Sequence, residues 1–376
     1  MQQVSLKASA AGLAPLLEGP SAFAARHRVG VYPYNCGRRV VARWVWASGA
    51  QTIVRSPYPL IMLRVAVVQA EVAPTLAEAV EQTCVLARAA HRDGARLVVF
   101  PETWLPGYPI WLDVCRDVAL WNYAPTKSVF SRYAEQSVVV GGSTTHVLSK
   151  LAAELQITLV VGISERVDAG PGRGTLYNAL LTFGPDGALC NHHRKLVPTY
   201  TERMVWGNGD TAGLRAIATS HARVGGLICW EHWMPLSRQA LHESGEDVHI
   251  AVWPTVHEMH HVASRQYAFE GRCFVLAAGS LMRARDLPPE LEAHESRVPN
   301  AETWVLRGGS AIIAPDGSYV VCPVYEQPTI LHAELDLAMV RAESMTLDVT
   351  GHYSRPDCFT FAVRADAATR DAAPTP

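Results

Sequence analysis

"LYNALLTFGPDGALCNHHRK", residues 176–195, holds two apolar runs around the tetrapeptide Gly184-Pro185-Asp186-Gly187. Pro, Asp and Gly together favour a tight reversal, so the stretch predicts a β-hairpin with strands over 176–183 and 188–195. A second run, "SAIIAPDGSYVV" (310–321), repeats the Pro-Asp-Gly signal. These hairpins decide the fold class. Alternation of strands and helices elsewhere would by itself admit a (β/α)₈ barrel, but antiparallel hairpins require mixed sheets, packed face to face with helices outside.

Working outward, "LRVAVVQ" (63–69), "RLVVFPE" (96–102), "ITLVVGISE" (157–165), "VHIAVWP" (248–254), "CFVLAAGS" (273–280) and "ILHAEL" (330–335) read as strands. Helices are expected from Pro74 to Asp93, with Leu76, Val80, Val85 or Leu86 and Ala90 inward, and over 147–156, 235–243 and 258–270. Three strands end on a reactive type: Glu102, Glu165 and Cys229. Open α/β sheets gather function at carboxyl strand ends, so two of the three are expected to share a cleft.

Charged residues make up 18% of the 376-residue chain, against about 25% in an average soluble protein, which suits a large core, a subunit interface or both. A formal net charge of −2 argues against nucleic acid or an anionic membrane as partner. No apolar run approaches the length of about 18 residues needed to span a bilayer. Eight scattered cysteines without a Cys-x-x-Cys pair read as reduced thiols of a cytoplasmic protein. Residues 1–61 carry seven Lys/Arg against the single acid Glu18 and show no clear period, so they are expected to be a disordered extension. The folded domain is placed at 62–361, with a flexible tail over 362–376.

On residue type alone, Glu102 reads either as a turn cap or as a proton shuttle raised by apolar surroundings. Lys195 reads either as part of a solvated basic face or as a buried ammonium needing a carboxylate. Cys229 lies where the run "GGLIC" (225–229) gives way to the Pro235 helix start, as an inert core thiol or a nucleophile. "HEMHH" (257–261) matches the His-Glu-x-x-His zinc-peptidase pattern but has no third ligand downstream, and "GPGRG" (170–174) reads as a surface loop rather than a dinucleotide fingerprint.

Taken together, "FPETWLPGYPIW" (100–111), "HRKLVPTYTERMVWGNGD" (193–210) and "GGLICWEHWMPL" (225–236) resemble, in order, the three blocks of the nitrilase superfamily. The Cys-Trp-Glu form resembles its true-nitrilase branch, and "VWPTVHEMH", "AFEGRCFVLAAG" and "DVTGHYSRPDCF" are also similar to nitrilases. The likeness spans about 63–361. It implies a four-layer α-β-β-α sandwich that pairs through its helices into a homodimer or larger homo-oligomer. It also implies a catalytic Glu102, Lys195, Glu202 and Cys229, with no metal or cofactor. The implied substrate is a small nitrile, converted to acid and ammonia through a thioimidate and a thioester on Cys229. Trp104, Tyr108, Trp230 and Trp233 are expected to form an aromatic substrate wall. An amidase or a cyanide-degrading enzyme of the same superfamily is the nearer alternative, and a zinc metallopeptidase the distant one.

Overall fold

The computed structural model describes residues 62–364; the leader 1–61 and the last residues of the tail lie outside the described residues. The strands are β1 (Met62–Gln69), β2 (Leu97–Val99), β3 (Thr158–Arg166), β4 (Leu176–Phe183), β5 (Leu189–Arg194), β6 (Ile217–Ala218), β7 (Arg223–Ile228), β8 (Val248–Trp253), β9 (Phe274–Gly279), β10 (Leu281–Arg283), β11 (Trp304–Ile313), β12 (Tyr319–Tyr325) and β13 (Thr329–Asp336). The helices are α1 (Leu76–Arg92), α2 (Trp111–Val114), α3 (Ala124–Glu135), α4 (Ser143–Leu155), α5 (Pro235–Glu243), α6 (Glu258–Gly271) and α7 (Ala338–Ser344).

Two mixed sheets result. The first runs β13-β1-β2-β3-β4-β5 and the second β10-β11-β9-β8-β7-β6, with β12 added beside β11. In each, a parallel centre (β1-β2-β3, β7-β8-β9) is flanked by antiparallel strands, including both Pro-Asp-Gly hairpins. The period of two along each strand sorts side chains between layers. Leu63, Val65, Val67, Leu97, Val99 and Val160 join the buried set shared with the second sheet. Their alternates Ala66, Val68, Val98, Leu159 and Val161 pack instead among the buried residues of α1 and α4. With α5 and α6 beyond the second sheet, contributing Ala240, Leu241, Ala263 and Tyr267, the order is α-β-β-α.

Local departures from expectation have physical causes. Helix α1 turns Ala79, Thr83, Ala87 and Ala90 inward, leaving Val85 exposed. The inner stripe is made of small residues, which take up little of the space between helix and sheet. Helix α3 was not expected from the sequence; only Val129 among its twelve residues is buried, so it lacks a wide apolar stripe. It joins Tyr108, Trp111, Trp206 and Leu306 in a third apolar cluster. Among the described residues, no helix is long and apolar enough to cross a membrane.

Candidate active site

The site lies where the carboxyl ends of β2 and β7 meet across the sandwich. Beyond β2, the Pro101–Thr103 backbone crowds β3, where a Cβ on Gly162 would come within 2.2 Å of the Pro101 carbonyl oxygen. A glycine is therefore required for Glu102 to reach its place. Lys195 follows β5, its N–H donating to the Asn178 carbonyl at 2.7 Å. Gly209 closes over this segment, since a Cβ there would meet the Arg194 carbonyl at 2.3 Å. Glu202 sits in a 3-10 turn (Tyr200–Met204), where its carboxylate accepts from the Thr199 N–H at 2.7 Å.

These groups converge. Lys195 Nζ donates to Glu102 Oε1 at 3.1 Å and to Glu202 at 2.7 and 3.0 Å. Asn178 donates to Glu102 Oε1 at 2.7 Å, and the Tyr108 hydroxyl donates to Glu202 Oε1 at 2.9 Å. Cys229 Sγ and one carboxylate oxygen from each of Glu102 and Glu202 lie within 4.8 Å of one another. Glu102 Oε2 is buried without a hydrogen-bond partner among the described residues. That leaves one oxygen of this carboxylate free to take a proton.

Burial, countered by Lys195 and reinforced by Glu202, raises the Glu102 carboxyl to about 7. Burial and then Glu102 push the Cys229 thiol well up, with Lys195 and the Trp230 N–H working the other way. For Lys195, burial disfavours the charge, but Glu102, Cys229 and Glu202 outweigh it and the ammonium is held firmly. The resting cluster is thus a neutral thiol beside a weak base and a permanent cation. Cys229 stands at φ +52° and opens a 3-10 turn (Cys229–Trp233), six residues before α5 begins. The N–H that favours the thiolate is therefore that of Trp230, inside this turn, and α5 begins further along the chain.

The aromatic wall needs correction. A cavity of about 340 Å³ is lined by Cys229, Glu202, Tyr108, Trp230, His257 and His260, among others. Tyr108 and Trp230 line it. Trp104 does not: Thr103 takes φ +43° and turns the next side chain into the core, where Trp104 Nε1 donates to Thr83 at 2.7 Å. Trp233 sits at the end of its 3-10 turn, partly exposed and outside the cavity.

Of the three strand-end residues, Glu165 is the odd one out. It accepts from Arg194 at 2.5 and 2.8 Å, and His192 lies against it at 2.7 Å, away from the cysteine. The His-Glu-x-x-His residues diverge as well. His257 caps α6 and borders the cavity, while His261 meets the Tyr325 hydroxyl at 3.1 Å. Residues 170–174 lie in an exposed turn, as expected of a surface loop.

Sequence reasoning missed Glu231. Burial works against its charge, yet His193 and the N–H groups of Leu196 and Ile228 hold its carboxyl below the usual range. The two N–H bonds are each 2.8 Å long. One carboxylate thereby fastens the residue before Cys229 to the residue after Lys195. The only signal was an acid inside "CWEHW", where an unpaired buried charge would be costly.

The family model described as carbon-nitrogen hydrolase matches residues 64–343. An aliphatic nitrilase of Sinorhizobium fredii is 37% identical, over 80% of this chain and 95% of its own length. A bifunctional nitrilase/nitrile hydratase of Lupinus angustifolius is 36% identical, over 72% of this chain and 77% of its own. Among solved structures, a carbon-nitrogen hydrolase from Helicobacter pylori superposes with a TM-score of 0.60 at 20% identity, covering 79% of this chain and 96% of that one.

Proposed function

The chain belongs to the carbon-nitrogen hydrolase family, and from that premise we propose that it is a nitrilase, with Cys229 as nucleophile, Glu102 as general acid and base, Lys195 as charge stabiliser and Glu202 as the residue that orients the lysine. The observation that carries this reading is the buried Glu102–Lys195–Glu202–Cys229 cluster, of which Glu202 and Cys229 line the cavity, in a chain whose relatives bear nitrilase names. The free oxygen of Glu102 takes the Cys229 proton as sulfur attacks the nitrile carbon, and passes it to nitrogen to give a thioimidate. Water, deprotonated by Glu102, adds to the same carbon. Lys195 stabilises the charge of the tetrahedral adduct, and protonated nitrogen leaves as ammonia. A second water cleaves the resulting thioester to acid and restores the thiol. The test is ammonia release from a panel of organic nitriles, amides and cyanide at equal concentration. An organic nitrile is expected to give the highest kcat/KM; preference for an amide or for cyanide would overturn the reading.

The pH dependence follows from Glu102. Its protonated form cannot accept the thiol proton, so kcat/KM is expected to fall as pH drops through about 7, tenfold per unit below it. A pH–rate profile flat down to pH 5 would remove Glu102 as the base.

Product choice depends on which group leaves the tetrahedral adduct. Expulsion of ammonia leads to acid and expulsion of sulfur to amide. Negative charge beside nitrogen favours the protonated leaving group, so acid is expected to dominate. Glu202→Gln, which deletes one charge near the cysteine, is expected to release a larger amide fraction. Each ~1.4 kcal/mol of differential stabilisation changes the ratio tenfold, so chromatography of acid and amide resolves it. An unchanged ratio in an active variant would take Glu202 out of the partition.

The same reading includes self-association through helices. Leu236 on α5 and Met259, Val262 and Phe269 on α6 are exposed apolar side chains, which supports a helix-to-helix interface between copies. Light scattering is expected to give at least a dimer, and Val262→Asp with Phe269→Asp to reduce it.

A further inference from the structure

Behind the nucleophile, away from the substrate cavity, lies a row of buried polar side chains with no part in the chemistry above. His232 Nδ1 is 2.7 Å from the carbonyl oxygen of Cys229. His232 Nε2 is 3.0 Å from His249 Nε2, and His249 Nδ1 is 2.8 Å from Glu246 Oε1. The Tyr267 hydroxyl donates to Glu246 Oε2. All four side chains are buried. The two rings are held in plane by packing: His232 stacks on Trp253 at 4.7 Å, and His249 on Tyr267 at 3.7 Å.

The positions of the protons follow from the acceptor at one end. A carbonyl oxygen only accepts, so His232 carries its hydrogen on Nδ1 and leaves Nε2 as a lone pair. His249 must then donate from Nε2. If His249 is neutral, its Nδ1 is a lone pair too, and Glu246 must be the protonated acid that donates to it. If His249 is an imidazolium, Glu246 is the carboxylate. In both cases the pair holds one proton beyond a neutral histidine and an ionised acid. Removing that proton reverses the row. The remaining hydrogen of His249 moves to Nδ1 to satisfy the Glu246 carboxylate, and Nε2 becomes a lone pair facing His232. His232 then carries its hydrogen on Nε2, and Cys229 loses the hydrogen bond to its carbonyl.

We propose that Tyr267, Glu246, His249 and His232 form a buried proton relay that positions the nucleophile by holding the Cys229 carbonyl, and that losing the one proton shared by Glu246 and His249 releases it. The inference rests on Cys229 being the nucleophile. The four are positioning residues, because none lines the substrate cavity. What they hold is an elbow: Cys229 keeps its left-handed φ of +52°, a conformation that costs a non-glycine residue energy unless its surroundings impose it.

Burial raises the Glu246 carboxyl to about 7, with Tyr267 and His242 opposing, so the shared proton is lost near neutrality. Burial and His242 lower His249 further, with Glu231 opposing and His193 adding to the fall, and this favours the neutral-acid form of the pair. The other ionisable groups facing the row are Glu270 on α6, 3.8 Å from His242, and Arg238 on α5, which donates to Glu270 and to the His232 carbonyl, together with His260 and Cys273. The sign is opposite to that of Glu102. Raising pH through 7 activates the general base but releases the elbow, so the relay supplies an alkaline limb. Lys195 and Cys229 are both held too high to supply one there.

The test is the pH dependence of kcat in the full-length parent and in Glu246→Gln. The glutamine amide donates to His249 Nδ1 as the neutral acid does, and it cannot lose that hydrogen. Glu246→Gln is expected to keep kcat at pH 6 within about threefold of the parent and to move the alkaline limb up by at least one pH unit, with KM unaltered. Tyr267→Phe, which removes a donor that favours the carboxylate, is expected to move the limb the same way by a smaller amount. A Glu246→Gln profile superimposable on the parent's, or a folded Glu246→Gln protein inactive at every pH, would overturn the relay. If Glu246→Gln does not fold, Tyr267→Phe decides between the same outcomes. Cys229→Ala separates the two levels: turnover surviving there defeats the nucleophile itself, whereas loss there with an unshifted limb defeats the relay alone.

Discussion

Cys229→Ala is expected to lower kcat by at least about 10⁴-fold, while the protein folds and keeps its thermal midpoint within a few degrees. The two halves of that expectation come from different features. Activity disappears because the substitution deletes the attacking atom and Lys195 cannot replace it: the lysine is held as a cation by two carboxylates, and its nitrogen has no lone pair to give. Stability survives because the substitution removes one atom and leaves Cβ in place, so the left-handed backbone is strained no more than before. The cavity it creates is small, and the loss should be about 1 kcal/mol. Glu231 still ties Ile228 to Leu196, and His232 still holds the carbonyl of residue 229, since both act on backbone groups. Steady-state assays with circular dichroism on the same sample check both halves. A folded variant with more than a trace of turnover would require another nucleophile.

How much of this was legible in the sequence differs from residue to residue. The hairpin ending at Lys195 was readable because Pro185-Asp186-Gly187 reverses the chain by local geometry alone. The ends of β2 and β7 were readable because parallel central strands are continuous apolar runs, and a Glu or Cys closing such a run stands out. What was hidden depends on dihedrals and on distant partners. Trp104 is two residues past Glu102, and its direction is set by one left-handed residue, Thr103, that carries no sequence signal for it. Glu165 and Glu102 look alike in one dimension; they differ because Arg194 neutralises the first at the sheet edge and Lys195, one residue on, neutralises the second inside. The extended backbone of β5, continued one residue past its end by the Lys195 N–H bond to Asn178, sends those two adjacent side chains to opposite faces. The histidines of "CWEHW" and "VHIAVW" were unreadable as partners because 17 positions separate His232 from His249.

Lys195→Ala is expected to cost at least about 10³-fold in kcat/KM and to destabilise the fold, and the two losses should depend on pH in a way that identifies their common cause. In the parent, one ammonium lies between two buried carboxylates. Deleting it removes the cation facing the developing negative charge, worth about 3–4 kcal/mol of barrier by analogy with a lost oxyanion donor. It also leaves Glu102 and Glu202 together without their cation, and removing one partner from a buried pair costs about 3–5 kcal/mol. The protein can relieve that cost only by protonating a carboxyl, which raises Glu102 beyond its already high value and disables it as the base. The linkage sign is then fixed. A carboxyl whose folded value is raised keeps its proton in the fold while the unfolded chain releases it, so stability is greatest at low pH and falls as pH rises from about 4.5 through the folded value. The thermal midpoint of Lys195→Ala is therefore expected to drop between pH 5.5 and 8 more steeply than the parent's. Lys195→Met, which retains most of the volume without the charge, should behave the same way and so exclude the cavity as the cause. A folded variant of either kind that kept a tenth of parent activity at its best pH would show that the charge on Lys195 is not what stabilises the adduct.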